Sequence, residues 1–343
     1  MRATLYISES AQKDITNFQC DNAIVIKYLE KSYFITDGRY TFEAKNSVKE
    51  NVFVIEAKEG LEKSARLLLR ELGVKKALYD PSKWSVFKFD SLSKKLKNIK
   101  FIPILNLSQK ERIIKNSNEI KALTKAVKIG ERAFEKFVEF IKNEGIGLSE
   151  KELHYKAIDF FTSNGAHELS FSPIVAINEN AAKPHALPTD LRLKEGDLLL
   201  IDAGVKVDGF CSDRTRTIAV GKNMNASKIQ KFSNQKIQKV YDTVLKAQES
   251  AIKAVKPEVL AKQIDSVARE VIANAGYKDF FIHSTGHGVG RDIHELPVIS
   301  KSSSSVLKEG MIFTVEPGIY LPNEFGIRIE DMLVVTKDGA RVL

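Results

Sequence analysis

The sequence predicts a mixed α/β (α+β) protein in two domains, a small N-terminal α/β domain over residues 1–110 and a larger one over 111–343. Three observations predict it. The chain has 343 residues, more than one typical domain holds. Residues 1–105 interleave short β-branched runs with an amphipathic helical stretch. From residue 117 onward, long stretches of helical period give way to strand-like runs, and this happens twice.

In the first domain, residues 22–26, 32–36, 52–55 and 77–79 read as strands. Residues 62–72 set Ala65, Leu68, Leu69 and Leu72 on one helical face, with Gly73 as the stop. Residues 34–40 run a strand into an Asp37-Gly38 turn, which reverses the chain without needing a function. The connection between domains falls over 101–115, marked by Pro103 and a polar run from Ser108 to Glu111. Beyond it, apolar residues at 120, 123, 127, 134, 137, 138 and 141 keep a spacing of three or four, apart from one gap of seven. That predicts a helix over 117–142, ended by Gly145 and Gly147. Ser149 and Glu152 form a capping box for a helix over 150–164. Ser227 and Gln230 suggest a third helix start, and Pro257 a fourth, over 258–275 with Gly276 as its end.

Composition excludes several classes. Apolar residues make up 43% of the chain, enough for a full core, and no apolar stretch reaches the length of a membrane span. The start is too short and too soon acidic for a signal peptide. With only Cys20 and Cys211, a disulfide framework is not expected and a cytoplasmic location is. The net charge of +9 sits almost wholly in residues 1–116, where 22 Lys and Arg face 14 Asp and Glu. No aromatic-basic interleaving accompanies it, so it reads as a solvated surface rather than a specific nucleic-acid site.

Candidate chemistry lies in two stretches. Asp202 closes the apolar run from Leu198 to Ile201, and Asp213 opens the next strand eleven positions later. An Asp208-Gly209 turn between them would put both carboxylates at neighbouring positions. Further on, His287 sits between glycines, Glu316 follows the strand-like 312–315, and Glu330 ends an alternating run from Ile327. Burying a lone carboxylate costs several kcal/mol or more, so each needs a partner. Four carboxylates in one place stay ionised only if cations hold them. An oxygen-rich set with a single His suits two hard or borderline divalent ions such as Mn, Co, Fe or Zn. Two such ions bridged by carboxylates make a hydrolytic centre.

Asp202, Asp213, His287, Glu316 and Glu330, in that order and in those contexts, resemble the pita-bread dinuclear metallopeptidases. That family includes aminopeptidase P (Xaa-Pro aminopeptidase), prolidase (Xaa-Pro dipeptidase) and methionine aminopeptidase. The resemblance covers residues 112–343 well and 20–60 loosely, where 34–40 are similar to a segment of the prolidase, aminopeptidase P and creatinase branch. It implies a C-terminal pita-bread (creatinase/aminopeptidase) domain, although the internal twofold of that fold leaves no visible residue-level repeat. It also implies a likeness in site roles. Asp202 is a terminal ligand, Asp213 and Glu330 bridge, and His287 and Glu316 serve the second of two divalent ions, Mn first. A hydroxide bridging both ions attacks the first carbonyl of the substrate. His185 and His294 donate to the scissile carbonyl, Glu316 carries the proton, and His283 lines the subsite beyond the cut. Tyr320 and Arg328 orient ligands or substrate.

The activity implied is removal of an N-terminal residue ahead of proline. Prolidase-like action on dipeptides is the alternative. A methionine aminopeptidase would usually lack the N-terminal domain. A non-catalytic binding protein or a metal-free creatinase-type enzyme would have lost ligands that are all present. Proline-containing peptides are the expected partners, with no specific nucleic acid, no membrane, and a second copy of the chain as a homodimer.

Overall fold

The computed structural model describes residues 1–343. The chain forms two compact units, Met1–Arg112 and Ile113–Leu343.

In chain order, the first unit runs β1 (Arg2–Tyr6), α1 (Glu9–Thr16), β2 (Ala23–Tyr28), β3 (Lys31–Thr36), α2 (Thr41–Ser47), β4 (Val52–Glu56), α3 (Leu61–Glu71), β5 (Lys76–Tyr79), α4 (Val86–Ser93), β6 (Lys100–Pro103) and a short α5 (Leu107–Glu111). The six strands form one sheet in the order β4-β3-β2-β1-β5-β6. Parallel neighbours need crossovers, and α2 and α4 supply two, between β3 and β4 and between β5 and β6. Strand alternation sends Ile24, Ile26 and Ile35 to one core with Leu61, Leu68 and Leu69 of α3. Val25 and Phe34 go to the opposite core with Phe18. The sequence reading omits β1, β6, α1, α2, α4 and α5, none longer than eight residues and too short for periodicity to declare.

The second unit opens with α6 (Ser117–Phe140), capped by Asn116, whose side chain accepts from the Asn118 and Glu119 N–H groups while Glu119 reciprocates. The helix ends in a π turn over Ile141–Gly145. Gly130 and Ala133 occupy the gap of seven in its apolar stripe. At Gly130 a Cβ would stand 2.9 Å from Ser212 Oγ, so the gap marks where a hairpin crosses the helix. The Ser149–Glu152 capping box starts α7 (Glu150–Thr162). There follow β7 (Glu168–Leu169), β8 (Ile174–Ile177), β9 (Leu198–Ala203), β10 (Val205–Val207), β11 (Phe210–Cys211) and β12 (Arg214–Ala219). The chain continues through α8 (Gln235–Ala254), α9 (Ala261–Asn274), β13 (Gly286–Gly288), β14 (Glu295–Ile299), β15 (Ile312–Val315), β16 (Gly318–Leu321), β17 (Phe325–Arg328), β18 (Asp331–Val335) and β19 (Ala340–Val342). The main sheets are β12-β9-β8 and β14-β13-β15-β18-β19.

Two helix starts differ from expectation. α8 begins at Gln235, because Asn234 is its cap, accepting from the Lys236 and Ile237 N–H groups. Ser227 and Gln230 instead belong to a loop, where Gln230 accepts from the Ala219 N–H and donates to the Asn225 and Ser227 carbonyls. α9 begins at Ala261 rather than after Pro257, since Glu258 adopts a left-handed φ of 67° and its N–H donates to Leu307 O.

β9 explains how the unit holds together. Its alternate residues enter two cores, Leu199, Ile201 and Ala203 with α6 and α7, Leu198 and Leu200 with α8 and α9. A strand buried on both faces reads as a continuous apolar run, as this one does.

Candidate metal centre and substrate cleft

Strand ends converge on one cleft of about 560 Å³, and all five expected ligand residues line it. Asp202 is on β9, paired with Thr215 of β12, and Asp213 directly precedes β12. Between them the Asp208-Gly209 turn has both residues at positive φ. His287 is on β13, beside Gly286, where a Cβ would meet Thr314 O at 1.9 Å. Only glycine lets these strands approach so closely. Glu316 follows β15, its N–H donating to Thr285 O. Glu330 links β17 to β18, its N–H donating to Thr215 O.

His287 Nε2 lies 3.6 Å from Asp213 Oδ2 and 3.4 Å from Glu316 Oε1. Ligand atoms of Asp213, His287 and Glu330 all fall within 4.8 Å of one another. His287 Nδ1 is 3.1 Å from Gly288 O, which only accepts, so Nδ1 carries the proton and Nε2 turns its lone pair toward the carboxylates. Burial pushes the His287 pKa down, which favours this neutral form. Thr215 Oγ1 donates to Glu330 Oε2 at 2.6 Å, and Arg328 donates to Asp202 Oδ2 at 2.7 Å. The other oxygens, Asp202 Oδ1 and Glu330 Oε1, are buried with no hydrogen-bond partner.

Electrostatics point the same way. Burial, then repulsion from Glu330, Asp202 and Glu316, drives the Asp213 carboxyl well above its ordinary range. Glu330 is raised likewise by burial, Glu316 and Asp202. Glu316 is pushed up to about 7 by burial, with Arg328 opposing and Asp202 adding to the rise. A lone pair aimed at carboxylates, two orphaned oxygens and mutual repulsion are all relieved by divalent cations. The donor set fits metal ions.

Around the cluster, His185, His283, His294 and Arg328 also line the cleft. His294 has its ring 4.3 Å from that of His287. Arg328 donates to Tyr320 Oη at 2.9 Å, so that hydroxyl donates onward to His283 Nε2 at 2.8 Å. His283 Nδ1 then donates to Ser284 O at 2.8 Å. Burial, then Arg328, lowers the His283 pKa to about 3. Tyr320, expected to orient ligands or substrate, is not on the cleft lining; its hydroxyl meets the cleft through two residues that are, His283 and Arg328.

Several residues escape the sequence reading. His154, Phe171 and Leu187 line the cleft, and His154 Nδ1 donates to Pro173 O at 2.9 Å. Asp265 accepts from Thr285 and pairs with Arg269, whose guanidinium also holds the Phe281 and His283 carbonyls. Arg216 donates to Glu330 O and pairs with Asp331, which also takes Lys228 and Gln248. An arginine inside a buried strand and an aspartate on the apolar face of a helix were the available signals.

A buried acidic cluster with one imidazole under a histidine-lined cleft defines a metal-dependent hydrolase. Residues 121–337 match metallopeptidase family M24. The chain belongs to that family and has its pita-bread fold. It is 43% identical over 232 residues to the Xaa-Pro dipeptidase of Pyrococcus furiosus, covering 68% of this chain and 63% of that protein. The structure of an Xaa-Pro dipeptidase from Bacillus anthracis superposes with a TM-score of 0.89 at 32% identity, over 99% of this chain and 92% of that one. That of an X-Pro aminopeptidase from Thermotoga maritima gives 0.87 at 33% identity, over 100% and 95%. No helix is long and apolar enough to cross a membrane.

Proposed function

We propose that this chain is a metal-dependent exopeptidase that removes an N-terminal residue ahead of proline, an Xaa-Pro aminopeptidase. The observation that carries the reading is the acidic cluster with His287 beneath a cleft lined by further histidines. Asp202, Asp213, His287, Glu316 and Glu330 would hold two divalent ions, manganese first, with cobalt, iron or zinc as alternatives. When bound, such ions supply Lewis acidity toward a carbonyl oxygen and acidify water. Asp213 and Glu330 would bridge, and Arg328 fixes Asp202 by its 2.7 Å contact. His185 and His294 donate hydrogen bonds to the carbonyl oxygen as negative charge develops there. Glu316 takes a proton from the attacking water and delivers it to the leaving nitrogen. His283 has both ring nitrogens engaged, so it offers a ring edge rather than a hydrogen bond. That suits proline, whose nitrogen has no N–H when acylated.

A second reading, Xaa-Pro dipeptidase, is favoured by the dipeptidases among the relatives. A strict dipeptidase binds a free carboxylate, best with a dedicated cation. Arg328 is the one Arg or Lys lining the cleft, and Asp202 and Tyr320 engage it. We therefore expect Ala-Pro-Gly to be cleaved at least as well as Ala-Pro under equal manganese loading, with Met-Ala-Ser as the control. A dipeptide advantage above about tenfold in kcat/KM, or 1.4 kcal/mol, makes the chain a dipeptidase. The proposal extends to a cytoplasmic homodimer, on the family resemblance and the two free cysteines, Cys20 and Cys211.

A further inference from the structure

Glu150 is the first residue of α7 and is fully buried. Four neutral donors converge on its two oxygens. Oε1 accepts from the Ile177 N–H at 2.7 Å. Oε2 accepts from Asn180 Nδ2 at 2.8 Å, the Thr189 N–H at 2.7 Å and Thr189 Oγ1 at 2.6 Å. Ile177 and Thr189 are the two ends of one loop. Asn180 lies inside it, donates to Leu187 O at 3.0 Å and accepts from Lys183 Nζ at 3.0 Å. A single carboxylate therefore fastens both ends and, through Asn180, the middle.

That loop carries one wall of the cleft, Pro184, His185, Ala186, Leu187 and Pro188. None of the four donors to Glu150 belongs to a residue of the acidic cluster. The loop also packs where side chains are forbidden on the facing strand, since a Cβ on Gly326 would meet Ala181 O at 1.9 Å. A loop of this length is held in one conformation only where its ends and its interior are tied down.

We propose that Glu150 is the positioning residue for His185, setting the place of that ring over the acidic cluster by closing the 177–189 loop. The inference rests on the reading of His185 as a donor to the scissile carbonyl. Glu150→Gln keeps the shape but turns an amide N–H₂ toward groups that are all donors. Thr189→Val removes one donor to Glu150, together with the acceptor of the Leu191 N–H, and keeps the backbone bond, a milder change that serves if the first variant does not fold.

The test is a double-mutant cycle with His185→Ala, on the Xaa-Pro peptide the wild-type chain cleaves fastest, alongside metal content and the imidazole ¹H–¹⁵N spectrum. Glu150→Gln is expected to lower kcat about 10²-fold, the effect of a small misplacement, with metal content unchanged. Thr189→Val is expected to lower it less. In both, the His185 ring signal should move while that of His287 stays. Neither should lower kcat further once His185 is alanine. Full activity in His185→Ala overturns the reading of His185. Losses that add to it, or an unmoved His185 signal in both loop variants, overturn the positioning role of Glu150.

Discussion

Glu330 and Asp331 are neighbours in sequence and both are buried, yet they face two different regions. Glu330 points to the floor of the cleft, where one of its oxygens has no partner and its carboxyl is raised well above the ordinary range by burial and by Glu316 and Asp202. Asp331 points to the layer behind. Burial raises its pKa too, but Arg216 and Lys228, each at 2.6 Å, prevail and hold it at about 2. Asp265, too, is a buried acid whose partners, Arg269 and Thr285, come from the chain itself. Behind the floor the chain answers Asp331 with its own Arg216 and Lys228, whereas at the floor its one cation, Arg328, answers Asp202 and the remaining carboxylates are left to cations from solution.

The largest test of this contrast is Glu330→Ala. It should abolish hydrolysis and lower bound metal, because under the proposed assignment this carboxylate would serve both ions. Metal bound at the wild-type level in that variant would erase the distinction between the two regions. Next in size is Asp331→Ala, which strands the buried Arg216 guanidinium. It should cost about 3–5 kcal/mol of stability, read from denaturant or thermal unfolding, while saturating metal still binds. A wild-type unfolding curve with lost metal would reverse the assignment.

The smallest effect is on pH dependence, and it sharpens the contrast. In the metal-free chain Glu316 is raised from 4.5 to about 7, so its folded form favours the proton. A raised acid contributes stability that is complete below its unfolded pKa and lost as pH rises through the folded one. Asp331 is lowered from 3.8 to about 2, so its contribution is complete above 3.8 and lost as pH falls through 2. Below about pH 6.5 the buried His283 and His287, both lowered from 6.5, oppose the Glu316 trend. The floor carboxylates are therefore read between about pH 6.5 and 8, where those histidines are neutral folded and unfolded. The chelated protein should lose stability as pH rises over that range, by about 1 kcal/mol or more, read as a falling melting temperature. The metal-loaded protein should not, because metal binding displaces those protons. Identical profiles for the two forms would remove the floor as their source.

The sequence shows the floor more readily than the rear layer, for a physical reason. Asp202, Glu316 and Glu330 each interrupt or end an apolar run, and the structure brings them with Asp213 and His287 into one cleft. Asp265, Glu150 and Asp331 sit among charged residues that are ordinary on helices and at strand starts. Their burial depends on partners far along the chain, up to 115 residues away for Arg216 and Asp331. α6 was legible because its stripe persists over many turns, and its one gap is filled by Gly130 under the crossing hairpin. The start of α8 was misread because Ser227 with Gln230 mimics a capping box. Asn234, which has no Glu or Gln three residues on, performs the capping. Local pattern cannot tell which candidate cap has its partner elsewhere.

The strand β9 bears on how this chain can change over generations. Its odd and even residues are committed to different cores, and Asp202 continues the face of Leu198 and Leu200. Inserting or deleting one residue there would exchange the two sets and turn the Asp202 carboxylate away from the cleft. Substitutions in β9 can be repaired one at a time, but a shift in its reading cannot. Length variation among descendants of this chain should therefore accumulate in its loops and leave the interval from Leu198 to Asp202 untouched.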